Sequence, residues 1–72
     1  MRPTYEELTE MNPLLAEKSE EEIKTLLDTM ERYGYIWDPI TKSYVNPETG
    51  FGFAVRGLYM FTPELFIVII CG

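Results

Sequence analysis

An eight-residue pattern is written twice in succession, as Trp37-Asp38-Pro39-Ile40-Thr41-Lys42-Ser43-Tyr44 and then Val45-Asn46-Pro47-Glu48-Thr49-Gly50-Phe51-Gly52. The shared element, Asp or Asn followed by Pro, any residue and Thr, is turn chemistry. The Asp or Asn side chain caps the turn, Pro presets φ at the next position, and Gly50 supplies a left-handed residue that closes the loop. Two such turns, one octad apart, dictate a three-stranded meander and its register. Strands are expected over about 35–38, 43–46 and 51–55. Loops over 39–42 and 47–50 set Asp38 opposite Ser43 and Asn46 opposite Phe51. Counting outward puts Trp37 opposite Tyr44, and Tyr44 opposite Phe53, on a face shared with Tyr35, Asn46 and Phe51. Ile36, Val45, Gly52 and Ala54 occupy the other face. Lys42 stands where the second loop has Gly50. A non-glycine residue held left-handed costs about 1–2 kcal/mol, so the first turn is expected to be looser or differently built.

The residues before the meander read as helical. Thr4 can cap a short helix over roughly 5–11, with Glu6 and Glu7 in its dipole-favoured first turn. Asn12-Pro13 starts a second short turn through about Lys18. Ser19-Glu20-Glu21-Glu22 is a capping box. It opens a helix over about 20–33 whose apolar stripe is Ile23, Leu26, Leu27, Met30 and Tyr33, and Gly34 sits where a C-terminal glycine ends a helix. The adjacent acids Glu20, Glu21 and Glu22 diverge by about 100° per position. They read as a solvated first turn rather than as metal ligands or an acid–base cluster.

Composition narrows the functions open to the chain. Its 72 residues make one small domain, burying roughly 60% of its unfolded surface, and domains of this size often lean on a partner. A hydrophobic fraction of 46% is too high for a disordered chain. The lone Cys71 excludes an internal disulfide and reads as a buried or terminal thiol. With no basic-then-apolar leader, no signal peptide is indicated, and the expected location is cytoplasmic. There is no His, so the commonest acid–base group and zinc ligand are both missing. No catalytic residue, cofactor or metal is expected. The net charge of −6 is concentrated at residues 1–33, where nine acids face four bases; residues 34–72 hold three acids and two bases. That balance opposes direct nucleic-acid binding.

Beyond Gly57 the chain turns strongly apolar. Thr62-Pro63-Glu64 reads as cap, first helical residue and first-turn acid. Leu65 to Cys71, by contrast, is an unbroken apolar run with strand-like, β-branched composition. The run is far shorter than the roughly 20 residues of a membrane span. It reads as a buried terminal strand, an interface strand or, if it continues in a longer protein, the start of a membrane segment.

The octad resembles the unit of the OCRE (octamer repeat) domain, an aromatic-rich pattern in splicing-associated proteins. Asp38, Pro39, Thr41 and Tyr44 match in the first copy, and Asn46, Pro47, Thr49 and Gly50 in the second. The resemblance is confined to residues 37–52 and implies an aromatic sheet surface that binds proline-rich peptides. Trp37 and Val45 at the leading positions, Lys42 for Gly, only two copies and the helical first half depart from that pattern. Local convergence on good hairpin turns is the reading taken.

The expected architecture is therefore α+β. An acidic helical region (about 4–33) packs on a three-stranded antiparallel meander (about 35–55), with an apolar C-terminal segment (about 58–71) added. The aromatic face has two readings, as core beneath the helix over 20–33 or as a recognition surface. The expected function is non-catalytic protein binding, by a small adaptor or a subunit of a larger assembly, with a protein partner or a second copy of the chain. Candidate partner-binding residues are Trp37, Tyr44, Phe53, Phe66, Ile67 and Ile69. The alternatives are a small acidic inhibitor or nucleic-acid mimic of the kind phages encode, and an enzyme using only carboxylates and Tyr.

Overall fold

Hydroxyl side chains start the three α-helices among the described residues. Thr4 Oγ1 accepts from the Glu7 N–H (3.1 Å) and the Thr4 N–H donates to the Glu7 carboxylate (3.2 Å), opening α1 (Tyr5–Met11). Ser19 and Glu22 repeat that reciprocal box at the head of α2 (Glu20–Arg32). Thr62 Oγ1 accepts from the Leu65 N–H at 3.2 Å, ahead of α3 (Pro63–Cys71). Between α1 and α2 lies a 3-10 turn (Pro13–Glu17). After α2 come β1 (Ile36–Asp38), β2 (Ser43–Val45) and β3 (Gly52–Ala54), then a second 3-10 turn (Val55–Met60). The computed structural model describes residues 2–71, without the Cys71 side chain; the expectation of a buried or terminal thiol there lies outside the described residues. The architecture is α+β, a helical N-terminal region with a three-stranded antiparallel meander in the order β1-β2-β3.

The register is the one that the octads dictate. Trp37 pairs with Tyr44 and Tyr44 with Phe53; Asp38 pairs with Ser43. Both loops are built alike, contrary to the expectation for the first. In each, the capping side chain accepts from the backbone two residues on, Asp38 from Ile40 and Asn46 from Glu48, both at 2.9 Å. Each then closes through a backbone bond four residues on, Lys42 to Asp38 and Gly50 to Asn46, both at 2.8 Å. Lys42 takes φ 57° where Gly50 takes φ 79°. The lysine accepts the left-handed conformation because the turn bonds around it over-determine the loop.

Ile23, Leu26, Leu27 and Met30 of α2 are buried as expected, whereas Tyr33 is exposed. Tyr33 is the C-cap of α2, and the chain leaves the helix through Gly34 at φ 95°. Its ring therefore slides off the stripe and lies edge-on to Phe66 at 6.3 Å.

The aromatic face of the sheet is the covered one. Tyr35 and Tyr44 are buried and Trp37 and Phe53 half-buried, while Ile36, Gly52 and Ala54 on the other face are exposed. The cover differs from the one expected. Tyr44 reaches α2 through its hydroxyl, but the ring over Tyr35 and Phe53 is Phe66 of α3, with centroids at 5.4 and 5.3 Å. The C-terminal segment is thus a helix integral to the core and not a strand. Its β-branched composition is overridden by the Thr62-Pro63 start and by burial of Phe66.

Candidate functional site

Polar residues with a structural duty account for much of the molecule's chemistry. Asn12 is buried; its amide donates to the Val55 and Arg56 carbonyls (3.1 and 2.9 Å) and its oxygen accepts from the Leu14 N–H. It thereby caps the first 3-10 turn and ties the second one to it. Asn46 likewise caps its loop with oxygen and donates through nitrogen to the Tyr33 carbonyl at the end of α2 (3.3 Å). Asp38, an acceptor only, caps its loop without such a tether.

A second cluster joins the N-terminal residues, α2 and the sheet. The Arg2 guanidinium forks onto the Glu31 carboxylate at 2.8 and 3.1 Å and also bonds Asp28. Tyr44 donates its hydroxyl to Glu31 at 3.1 Å. The Arg2 hydrogen bonds hold the Glu31 and Asp28 carboxyls below the usual carboxylate range. Burial, then the charge of Glu31, push the Tyr44 phenol above its ordinary value. The cluster is internally satisfied, every charge meeting an opposite charge or a donor, so it fastens elements together and leaves no group poised for proton transfer. Nothing in sequence reasoning singled out Arg2. The one available signal was the spacing of Asp28 and Glu31, which shares a face of α2.

The third region is apolar and open. On α3, Leu65, Ile67, Val68 and Ile69 are 41%, 38%, 63% and 50% exposed. Beside this helix runs a groove of about 490 Å³, lined by Tyr35, Phe51, Phe53, Ile69 and Ile70 among others, with no charged side chain on its wall among the described residues. Phe51, 68% exposed, forms its rim. The groove abuts β3, an edge of the sheet. Phe53 pairs with Tyr44, and the Phe51 carbonyl accepts from the Asn46 N–H at 2.8 Å, so the backbone groups of Phe51 and Phe53 face β2. Alternation along an antiparallel strand turns those of Gly52 outward, and Gly52 is exposed, whereas Ala54 is the N-cap of the second 3-10 turn.

Of the six candidate partner-binding residues, the structure puts Tyr44 and Phe66 fully inside the core and Trp37 half-buried against it. These three serve the fold. Phe53 is half-buried with one edge in the groove, and Ile67 and Ile69 lie on the open face of α3. Sequence reasoning missed Phe51, Leu65 and Val68 as parts of this surface. Among the described residues no three His, Cys, Asp or Glu side chains converge as metal ligands, and no helix is long and apolar enough to cross a membrane. Comparison of the chain with family models, with curated proteins and with solved structures gives no match in any of the three.

Proposed function

We propose that the chain is a non-catalytic protein-binding module, a small adaptor or a subunit of a larger assembly, and that it binds through the surface formed by β3 and α3. One observation carries this reading: four apolar residues of α3, Leu65, Ile67, Val68 and Ile69, stay open to solvent beside an uncharged groove and an edge strand of the sheet. Solvent-facing helix surfaces are ordinarily polar, and contiguous exposed apolar area marks interaction sites. The polar clusters, by contrast, are spent on capping and tethering.

A second reading rests on the acids. Glu21, Glu22 and Glu64 gather around a groove between the starts of α2 and α3, which is the kind of exposed anionic surface that an acidic inhibitor or nucleic-acid mimic presents. Affinity capture with the intact chain as bait, washed over a salt series, separates the two. A partner held through the apolar surface stays bound through moderate salt, whereas one held by carboxylates is released steeply as salt screens the charges. Glu21→Gln together with Glu22→Gln leaves capture unchanged in the first case and weakens it in the second.

A further inference from the structure

We propose that the groove between the sheet and α3 is a small-molecule site for an uncharged aromatic ligand that carries a hydrogen-bond acceptor, such as an aryl ketone. This goes beyond the protein-binding reading and does not depend on it.

A buried tyrosine with an unpartnered hydroxyl carries the proposal. Tyr35 is 5% exposed, its ring packed between Phe53 and Phe66. The hydroxyls of Tyr5 and Tyr44 each donate to an acceptor within the chain. That of Tyr35 has no partner among the described residues. Sealed from water, it would be a buried unsatisfied oxygen, and no such atom occurs among the described residues. The hydroxyl therefore reaches an accessible surface. Tyr35 lines this groove and neither of the clefts beside the start of α2. The hydroxyl of a buried tyrosine ordinarily ends on a partner, and here the groove is where a partner can reach it.

Shape and wall chemistry define the ligand. A volume of about 490 Å³ falls within the range of roughly 300–1,000 Å³ for small-molecule pockets. Tyr35 and Phe53 line the groove from the sheet, Ile69 and Ile70 from α3, and Phe51 at the rim. Such walls suit a flat ring, which aromatic neighbours meet offset or edge-to-face. With no charged side chain on the wall among the described residues, an ionised ligand would lose hydration without gaining a counter-charge. The polar side chains decide the rest. Asn46 is spent, its oxygen on the Glu48 N–H and its amide on the Tyr33 carbonyl. Thr49 Oγ1 accepts from the Phe51 N–H at 3.3 Å, which leaves its own proton uncommitted, as is that of Tyr35. Two hydroxyl protons call for an acceptor, and a ketone carbonyl supplies one without adding charge.

A matched pair of probes tests the proposal: acetophenone, and ethylbenzene, which has a similar shape and no acceptor. Each is titrated into the full chain and followed by heteronuclear NMR. Acetophenone should give saturable shifts centred on Tyr35, Phe51, Phe53 and Ile69. Tyr35→Phe keeps the packed ring and removes only the hydroxyl. It should weaken acetophenone about threefold to tenfold, the effect of one hydrogen bond, and leave ethylbenzene within about twofold. Phe51→Ala, at an exposed position, should weaken both probes. Circular dichroism of both variants should match the wild type. Absence of saturable shifts with acetophenone up to its solubility overturns the proposal, as do shifts spread evenly over the exposed face of α3. Equal changes for the two probes in Tyr35→Phe overturn the choice of an acceptor-bearing ligand. None of these failures touches the protein-binding reading, which salt-resistant capture tests separately.

Discussion

Of the two helices that pack together, α2 turns Ile23, Leu26, Leu27 and Met30 inward and presents Glu20, Glu21, Lys24, Asp28 and Arg32 to water. Helix α3 turns Phe66 inward and presents Leu65, Ile67, Val68 and Ile69. Both start from a hydroxyl cap, and both bury a face in the same core. The difference lies on the far side. Everything α2 shows to solvent is explained by solvation and by the Arg2 contact to Asp28 and Glu31, whereas nothing among the described residues covers what α3 shows. Burying a helix face accounts for only part of an apolar sequence. The remainder of α3 is what the proposed binding surface rests on.

Truncation of Phe66 should give the largest effect. Phe66→Ala removes the ring on which Tyr35, Phe53 and Tyr33 converge. It should cost about 3–5 kcal/mol, enough to unfold a chain of this size in urea melts. Leu26→Ala on α2 should cost about 2–5 kcal/mol. If Phe66→Ala were the milder of the two, α3 would be an appendage and the contrast between the helices would lose its basis.

These two sites also mark what was legible in the sequence. Capping boxes and turns are local, so α2 and the register of the meander could be read from a few neighbouring residues. Phe66 stands in a run of large apolar residues that looks the same in every direction. Only the position of the sheet, set by chain far upstream, selects which of them is core. Arg2 meeting Asp28 and Glu31, and Asn12 meeting Val55, are contacts between remote residues, and neither residue type announces its distant partner. Lys42 was misjudged because propensity was weighed without the bonds that hold its loop. The exposed apolar surface is legible only in part: Ile67 and Ile69 stand among the candidates and are exposed, whereas Phe51 reads from sequence as a strand residue and not as a rim.

The tether on α2 should appear as pH dependence. The Glu31 and Asp28 carboxyls titrate below their unfolded values, so the stability they contribute is present above the unfolded carboxylate range and is lost as acidification carries pH down through their folded values. The Tyr44 phenol is shifted upward. Its contribution is complete below about pH 10, its unfolded value, and declines as pH rises further. Arg2→Met should flatten the acid limb of stability against pH, and Tyr44→Phe the alkaline limb, in denaturant melts across the pH range. An unchanged acid limb in Arg2→Met would mean that the N-terminal contact does not hold in solution.

Smaller effects come from the loops. Lys42→Gly should stabilise by up to about 1 kcal/mol by relieving a left-handed non-glycine residue. Gly50→Val should destabilise by about 1–2 kcal/mol, because it forces a β-branched residue into that conformation. Equal losses at both positions in urea melts would show that the loops are not equivalent in solution.

The smallest expected change in stability belongs to the proposed binding surface. Ile67→Lys/Ile69→Lys alters only the solvent side of α3 and should shift the urea midpoint by no more than about 0.5 kcal/mol equivalent. The most direct test of the account is the affinity of this double variant, its fold verified by circular dichroism, for the protein that the wild-type chain captures. The account predicts at least a tenfold loss of affinity in a variant as well folded as the parent. Undiminished affinity with the fold intact would contradict it.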